Sequence, residues 1–120
     1  MVQAVQAYCE KTGQQIPQTL GELASVIYRS LAVCYAQTKE QIETITGTKY
    51  DRIYIIGGGS QAEFLNQLTA QYAKCQVSAG PTEATAIGNL ICQMLEDGAF
   101  QDIAEARSCV IDSFAVKYYN

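Results

Sequence analysis

At 120 residues the chain has room for one hydrophobic core, because a domain of this size buries roughly two thirds of the surface its unfolded chain exposes. An apolar share of 48 %, a charged share of 17 % and a net charge of −4 exclude a disordered chain, and the eight scattered Lys and Arg exclude nucleic acid as a partner, which demands a clustered basic face. The absence of histidine excludes Ser-His and Cys-His nucleophile pairs, imidazole acid-base chemistry and the commonest zinc sites.

The N-terminal MVQAVQAYCEKTGQ carries a glutamate and a lysine where a signal peptide needs an apolar centre, and no run is long enough to cross a bilayer, so the expectation is a cytoplasmic protein. Val2, Val5, Tyr8 and Cys9 predict a short helix ended by Gly13, with a loop at Pro17. Thr19 and Glu22 form a capping box, after which Leu23, Ile27, Leu31, Cys34, Ile42 and Ile45 recur at helical spacing until Gly47. That helix would span about 40 Å.

Arg52 to Ile56 read as an unalternating strand covered on both faces, as in a parallel sheet. Gly57, Gly58 and Gly59 follow at once. Ser60 and Glu63 make a second capping box, opening a helix with Phe64, Leu65, Leu68 and Tyr72 on its inner face. Gln76 and Val77 predict a second short strand, and Ser78-Ala79-Gly80-Pro81 a turn into a helix from Glu83 to Leu95. Asp97-Gly98 breaks it before a last helix carrying Ile103, Val110 and Phe114.

Two short parallel strands do not make a stable sheet alone, so the chain reads as a piece of something larger. Folded alone, it should hide an open strand edge and an apolar helix face by self-association. Cys9, Cys34, Cys75, Cys92 and Cys109 are odd in number and lack C-x-x-C spacing, which fits buried free thiols in a reducing compartment better than disulfides or metal ligands.

A strand-glycine-helix turn gathers unpaired amides and the positive end of a helix, and missing Cβ atoms admit a flat or anionic ligand to the backbone. A nucleotide site is one reading. A tight turn with positive φ is the other, although one glycine normally suffices for it. Gly57, Gly59 and Ala62 satisfy G-x-G-x-x-A, yet Ser78 and Ala79 stand where the dinucleotide motif places its acidic ribose partner, and no G-x-x-x-x-G-K-[ST] is present. Glu83, Ala84, Ala86 and Gly88 lay small residues along the start of the penultimate helix, which ordinary close packing explains as well as a ligand does. Glu83 also suits the N-terminus of a helix with no part in chemistry.

Together, IYIIGGGSQ, LNQLTA, AGPTEATAIGN followed by Gln93, EAR at 105–107 and SF at 113–114 resemble the C-terminal end of the FGGY carbohydrate kinases, in particular their rhamnulose-kinase branch. YCEKTGQ, GELA and SLA extend the resemblance over nearly the whole chain. It implies a helix-rich α/β fold, part of a ribonuclease-H-like (actin-like ATPase) domain with a short parallel strand pair. Residues 1–120 would be the C-terminal portion of its nucleotide-binding domain, with the sugar-binding domain absent.

The resemblance also implies ATP with Mg²⁺ as cosubstrate and L-rhamnulose as the ketose, giving L-rhamnulose 1-phosphate. By position, Gly57, Gly58 and Gly59 would press on adenine and ribose, with Ser60 and Gln61 as polar contacts. Ala62 departs from the asparagine common at that point of the branch, which removes a side-chain contact. The D-x-G-T phosphate-binding turn, the carboxylate base, the Mg²⁺ ligands and most sugar contacts lie upstream of the matched region in such kinases. Phosphoryl transfer depends on positioning and electrostatic stabilisation, so a fragment holding half of that constellation is expected to be inactive.

Three readings remain at this point. The chain is a nucleotide-binding piece of a sugar kinase, or a self-associating interaction module whose loop binds nothing, or a dinucleotide-binding domain that prefers NAD to ATP.

Overall fold

The computed structural model describes residues 1–120. Helix α1, Val2–Lys11, turns through Gly13 into a loop whose Pro17 carbonyl accepts the Gln6 side-chain amide at 2.8 Å. Helix α2, Leu20–Thr46, begins on the expected capping box: Thr19 Oγ1 accepts the Glu22 N–H at 3.2 Å, while the Glu22 carboxylate accepts the N–H groups of Gln18 and Thr19 at 2.7 and 3.1 Å. It ends at Gly47 in the left-handed region.

The buried line along α2 passes through Leu23, Ala32 and Glu43, whereas Cys34, Ile42 and Ile45 face outward. The reason is the partner. Helix α3, Glu63–Ala73, lies along α2 and buries Asn66, Leu68, Thr69, Ala70 and Ala73, so small side chains form the seam between the two backbones. Phe64 and Tyr72, expected on the inner face of α3 with Leu65 and Leu68, stand about half exposed on its flanks. Phe64 leans on Tyr28 of α2 with ring centroids 6.1 Å apart.

Strand β1, Arg52–Ile55, pairs in parallel with β2, Gln76–Ala79, in the register Ile53↔Val77 and Ile55↔Ala79. The expected strand pair is in fact a three-stranded mixed sheet. Strand β3, Lys117–Tyr119, pairs antiparallel with β2, Val77 opposite Tyr119 and Ala79 opposite Lys117. Three residues are too few for a periodic pattern, and only the free edge of β2 turns them into a strand.

As the central strand, β2 buries Val77, Ser78 and Ala79, while β1 alternates exposed and half-buried residues, with Tyr54 67 % exposed. Thus β1 is covered on one face rather than both. Its outer edge has no strand beside it.

Helix α4, Ala84–Glu96, buries no residue, and α5, Ile103–Ser113, buries only Ala106. Asp102 caps α5 by accepting the N–H groups of Ala104 and Glu105 at 2.8 and 2.9 Å. Ile103 is half exposed, Val110 half-buried, and Phe114 lies just past the helix end, exposed. Of the five free cysteines only Cys9 is buried. Cys75 is half-buried and Cys34, Cys92 and Cys109 are exposed, which corrects the expectation of buried thiols.

The core therefore sits between α2, α3 and the sheet, and the rest extends from it. The radius of gyration is 18.4 Å, against about 14 Å for a compact chain of this length.

Candidate functional site

Strand β1 delivers the chain to Ile56 in extended backbone, and Gly57 then turns it with φ +73°. Gly57–Gln61 winds into a single 3₁₀ helix before Ala62 opens α3. The second capping box does not form. Because residues 57–61 are already coiled, Ser60 Oγ turns back to donate to the Gly57 carbonyl at 2.7 Å, and Ala62 takes the cap position with no side-chain acceptor. Glu63 pairs instead with Lys117 of β3, whose ammonium holds the carboxyl below its usual range.

The three glycines have different structural reasons. Gly57 has the positive φ, and a Cβ there would meet the Thr82 carbonyl at 3.9 Å. At Gly59 a Cβ would touch Ile55 Cγ2 at 3.8 Å, an ordinary contact, and at Gly58 it would meet nothing within 4 Å. Neither Gly58 nor Gly59 has a positive φ. The fold thus requires the first glycine and leaves the other two unexplained from within. The backbone of Gly58 is open to whatever lies outside.

The loop after β2 braces this turn. The Gly80 N–H donates to the Ile55 carbonyl at 2.8 Å, and the Gly57 N–H to the Pro81 carbonyl at 3.3 Å. Thr82 Oγ1 lies 3.4 Å from both Ser60 Oγ and Gln61 Nε2, long contacts that a closer polar partner would displace. Gly80 is itself fixed: it has φ +118°, and a Cβ would stand 2.6 Å from the Ala115 carbonyl. Of the five residues singled out in the sequence, Gly57, Gly58, Gly59, Ser60 and Gln61, all lie in one turn, with Ser60 buried and Gln61 exposed.

Thr82, Gly80 and Asn66 also belong to this neighbourhood; they lie inside the quoted LNQLTA and AGPTEATAIGN motifs but were not named as site residues. Asn66 is fully buried, and its Nδ2 donates to the Ser60 carbonyl at 2.9 Å. Its Oδ1 is buried without a partner, a state that costs about 1–3 kcal/mol. In the sequence it shows as the asparagine of LNQLTA, a polar side chain in an otherwise amphipathic helix.

The small residues Ala84, Ala86 and Gly88 do not pack closely on a neighbour. A Cβ on Gly88 would meet nothing within 4 Å, and Glu83 precedes α4 without a side-chain cap. No group of three or more His, Cys, Asp and Glu comes together that could hold a metal ion. No helix is long and apolar enough to cross a membrane.

The site is thus a parallel strand, a glycine turn and a helix, braced by the loop after β2. Residues 3–96 match the FGGY family of carbohydrate kinases, C-terminal domain, and the chain belongs to this family. Among its relatives are the rhamnulokinases of Bacillus subtilis (strain 168), 48% identical over 119 residues, and of Enterococcus faecalis (strain ATCC 700802 / V583), 45% identical over 121 residues. Each alignment takes in 99% of this chain and 24% of the relative's length, so the chain spans about a quarter of the proteins it resembles.

Proposed function

We propose that this chain is the adenosine-binding part of a sugar kinase nucleotide site. The observation that carries the reading is the open backbone at Gly58: neither packing nor φ demands a glycine there, and a flat ligand laid on the turn would. In this reading Gly57, Gly58 and Gly59 meet adenine and ribose, and Ser60 and Gln61 offer polar contacts, Gln61 by exchanging its long bond to Thr82 for one to the ligand. The fold is then part of a ribonuclease-H-like domain, residues 1–120 forming the C-terminal portion of the nucleotide-binding domain.

The relatives are named rhamnulokinases, which makes ATP and L-rhamnulose the proposed substrates of the longer protein and L-rhamnulose 1-phosphate its product. ATP would supply the phosphoryl group, with Mg²⁺ held by ligands outside these residues. Within this chain the turn and its brace bind and orient the nucleoside end. No D-x-G-T turn is present; of the acidic side chains beside the loop, Glu63 is tied to Lys117, and Glu83, next to Thr82, is exposed. The chain alone is accordingly proposed to bind nucleotide without transferring phosphate, in the cytoplasm.

A second reading, self-association, draws on the extent of the exposed surface. The accessible surface is 8415 Å², against about 6,400 Å² for a compact monomer of this mass, an excess of about 2,000 Å² where one partner of a standard interface contributes about 800 Å². Self-association can accompany nucleotide binding, but a module whose loop binds nothing is rejected by it.

The test is calorimetric titration of the chain with Mg-ADP beside Gly58→Val, whose new side chain projects into open space and leaves the fold intact. Saturable binding lost in the variant supports the reading. A folded chain that takes up no Mg-ADP rejects it.

A further inference from the structure

We infer that Asn66 is a positioning residue of the glycine turn, kept at the expense of fold stability. The inference rests on the reading of this turn as a nucleotide site. Asn66 lies in the first turns of α3 and is fully buried, in a place that an apolar side chain of similar size would fill. It makes one side-chain bond, from Nδ2 to the Ser60 carbonyl across six residues, and leaves Oδ1 buried and unpaired.

A buried amide with one half satisfied and the other orphaned destabilises a core relative to an apolar side chain that fits the same space. Its use must therefore be sought in the bond it does make. Ser60 is the residue around which the turn is organised: its hydroxyl bonds Gly57 and touches Thr82, and its carbonyl is held by Asn66. Ala62 provides no side-chain cap between turn and helix, so Asn66 is the one side chain of α3 that grips the turn. The helix is anchored in the seam with α2, and the amide carries that rigidity into the backbone of residues 57–61. A rigid turn is pre-ordered for its ligand, which lowers the entropic cost of binding.

The consequence is a separation of stability from binding. Asn66→Leu removes the orphaned acceptor together with the grip, and Asn66→Asp keeps the size and the acceptors but cannot donate to Ser60 when ionised. We expect Asn66→Leu to melt close to the temperature of the wild-type chain, because losing the orphaned acceptor offsets the cost of the larger side chain. Amide exchange across residues 57–62 should accelerate about tenfold in both variants, while α2 and the second half of α3 stay as protected as before. Mg-ADP affinity should fall about tenfold in both.

A loss of protection spread evenly over α2, α3 and the sheet, with a lowered melting temperature in Asn66→Leu, would reduce Asn66 to a core residue and overturn the inference. Unchanged exchange in 57–62 would do the same. If the wild-type chain takes up no Mg-ADP, the nucleotide reading fails by itself, and the exchange rates still decide whether Asn66 holds the turn.

Discussion

The carboxylate of Glu43, near the end of α2, accepts the backbone N–H of Tyr50 at 2.9 Å, and so ties the long helix to the segment that enters β1. The same carboxylate takes Lys39 at 2.6 Å and Lys49 at 2.9 Å, and its side chain is only 4% exposed. The Lys39 ammonium first, then the Tyr50 N–H and Lys49, hold its pKa at about 2.

Stability should consequently depend on acid. A carboxyl whose pKa is lowered by folding contributes its full stabilisation above its unfolded value near 4.5 and loses it as pH falls toward about 2. Glu22 and Glu63 are shifted in the same direction and add to the slope. Thermal melts should be flat from pH 7 to pH 5 and drop between about pH 4.5 and 2, and Glu43→Gln should melt lower at pH 7 with a shallower acid limb. A variant with an unchanged profile would remove Glu43 as the cause.

Gly80→Ala should be among the most destabilising small changes in the chain. It places a Cβ 2.6 Å from the Ala115 carbonyl on a backbone with φ +118°, where an L-residue is strained. A loss of about 2 kcal/mol or more is expected in urea titrations, with β3 displaced from β2. A loss below about 0.5 kcal/mol would mean that the strand moves aside freely.

Gly57 and Gly58 should respond in opposite ways to substitution. Gly57→Ala meets a φ of +73° and should cost about 1–2 kcal/mol. Gly58→Ala should leave the denaturation midpoint nearly unmoved and weaken Mg-ADP in calorimetry. Equal effects of the two changes on stability would contradict the assignment of positive φ to the first glycine alone.

The open edge of β1 and the exposed Tyr54 and Ile56 beside it should drive association of the isolated chain. Light scattering over a concentration series should give a mass above 13.1 kDa, and Tyr54→Lys with Ile56→Lys should return the chain toward monomer. A clean monomer at every concentration would sink the expectation.

The helices were readable where local chemistry decides them. Thr19 with Glu22 starts α2 and Gly47 stops it, because caps and left-handed glycines act on the residues next to them. The same logic misled at Ser60 and Glu63. Their spacing fits a capping box, but a 3₁₀ turn and a cation from β3 draw both side chains elsewhere.

The inner faces were harder still. Helical spacing put Phe64 and Tyr72 on the inner face of α3 and Ile42 and Ile45 on the apolar line of α2, whereas the buried positions of the two helices are mostly small residues beside Leu23 and Leu68, and these four stand exposed.

By itself the sequence determined the order of helices and the two parallel strands, the position of the glycine turn and, through long motif registers, the kinase family, since all of these rest on residues close in the chain. Only the tertiary structure decided that Lys117–Tyr119 is a strand, that Gly80 has no room for a side chain, that Asn66 grips Ser60 and that Gly58 faces open space. Strand β3 and Ala115 come from far along the chain to meet β2 and Gly80, and no local pattern encodes what folding brings against a residue from that distance or, as at Asn66, which way a helix turns its polar side chain.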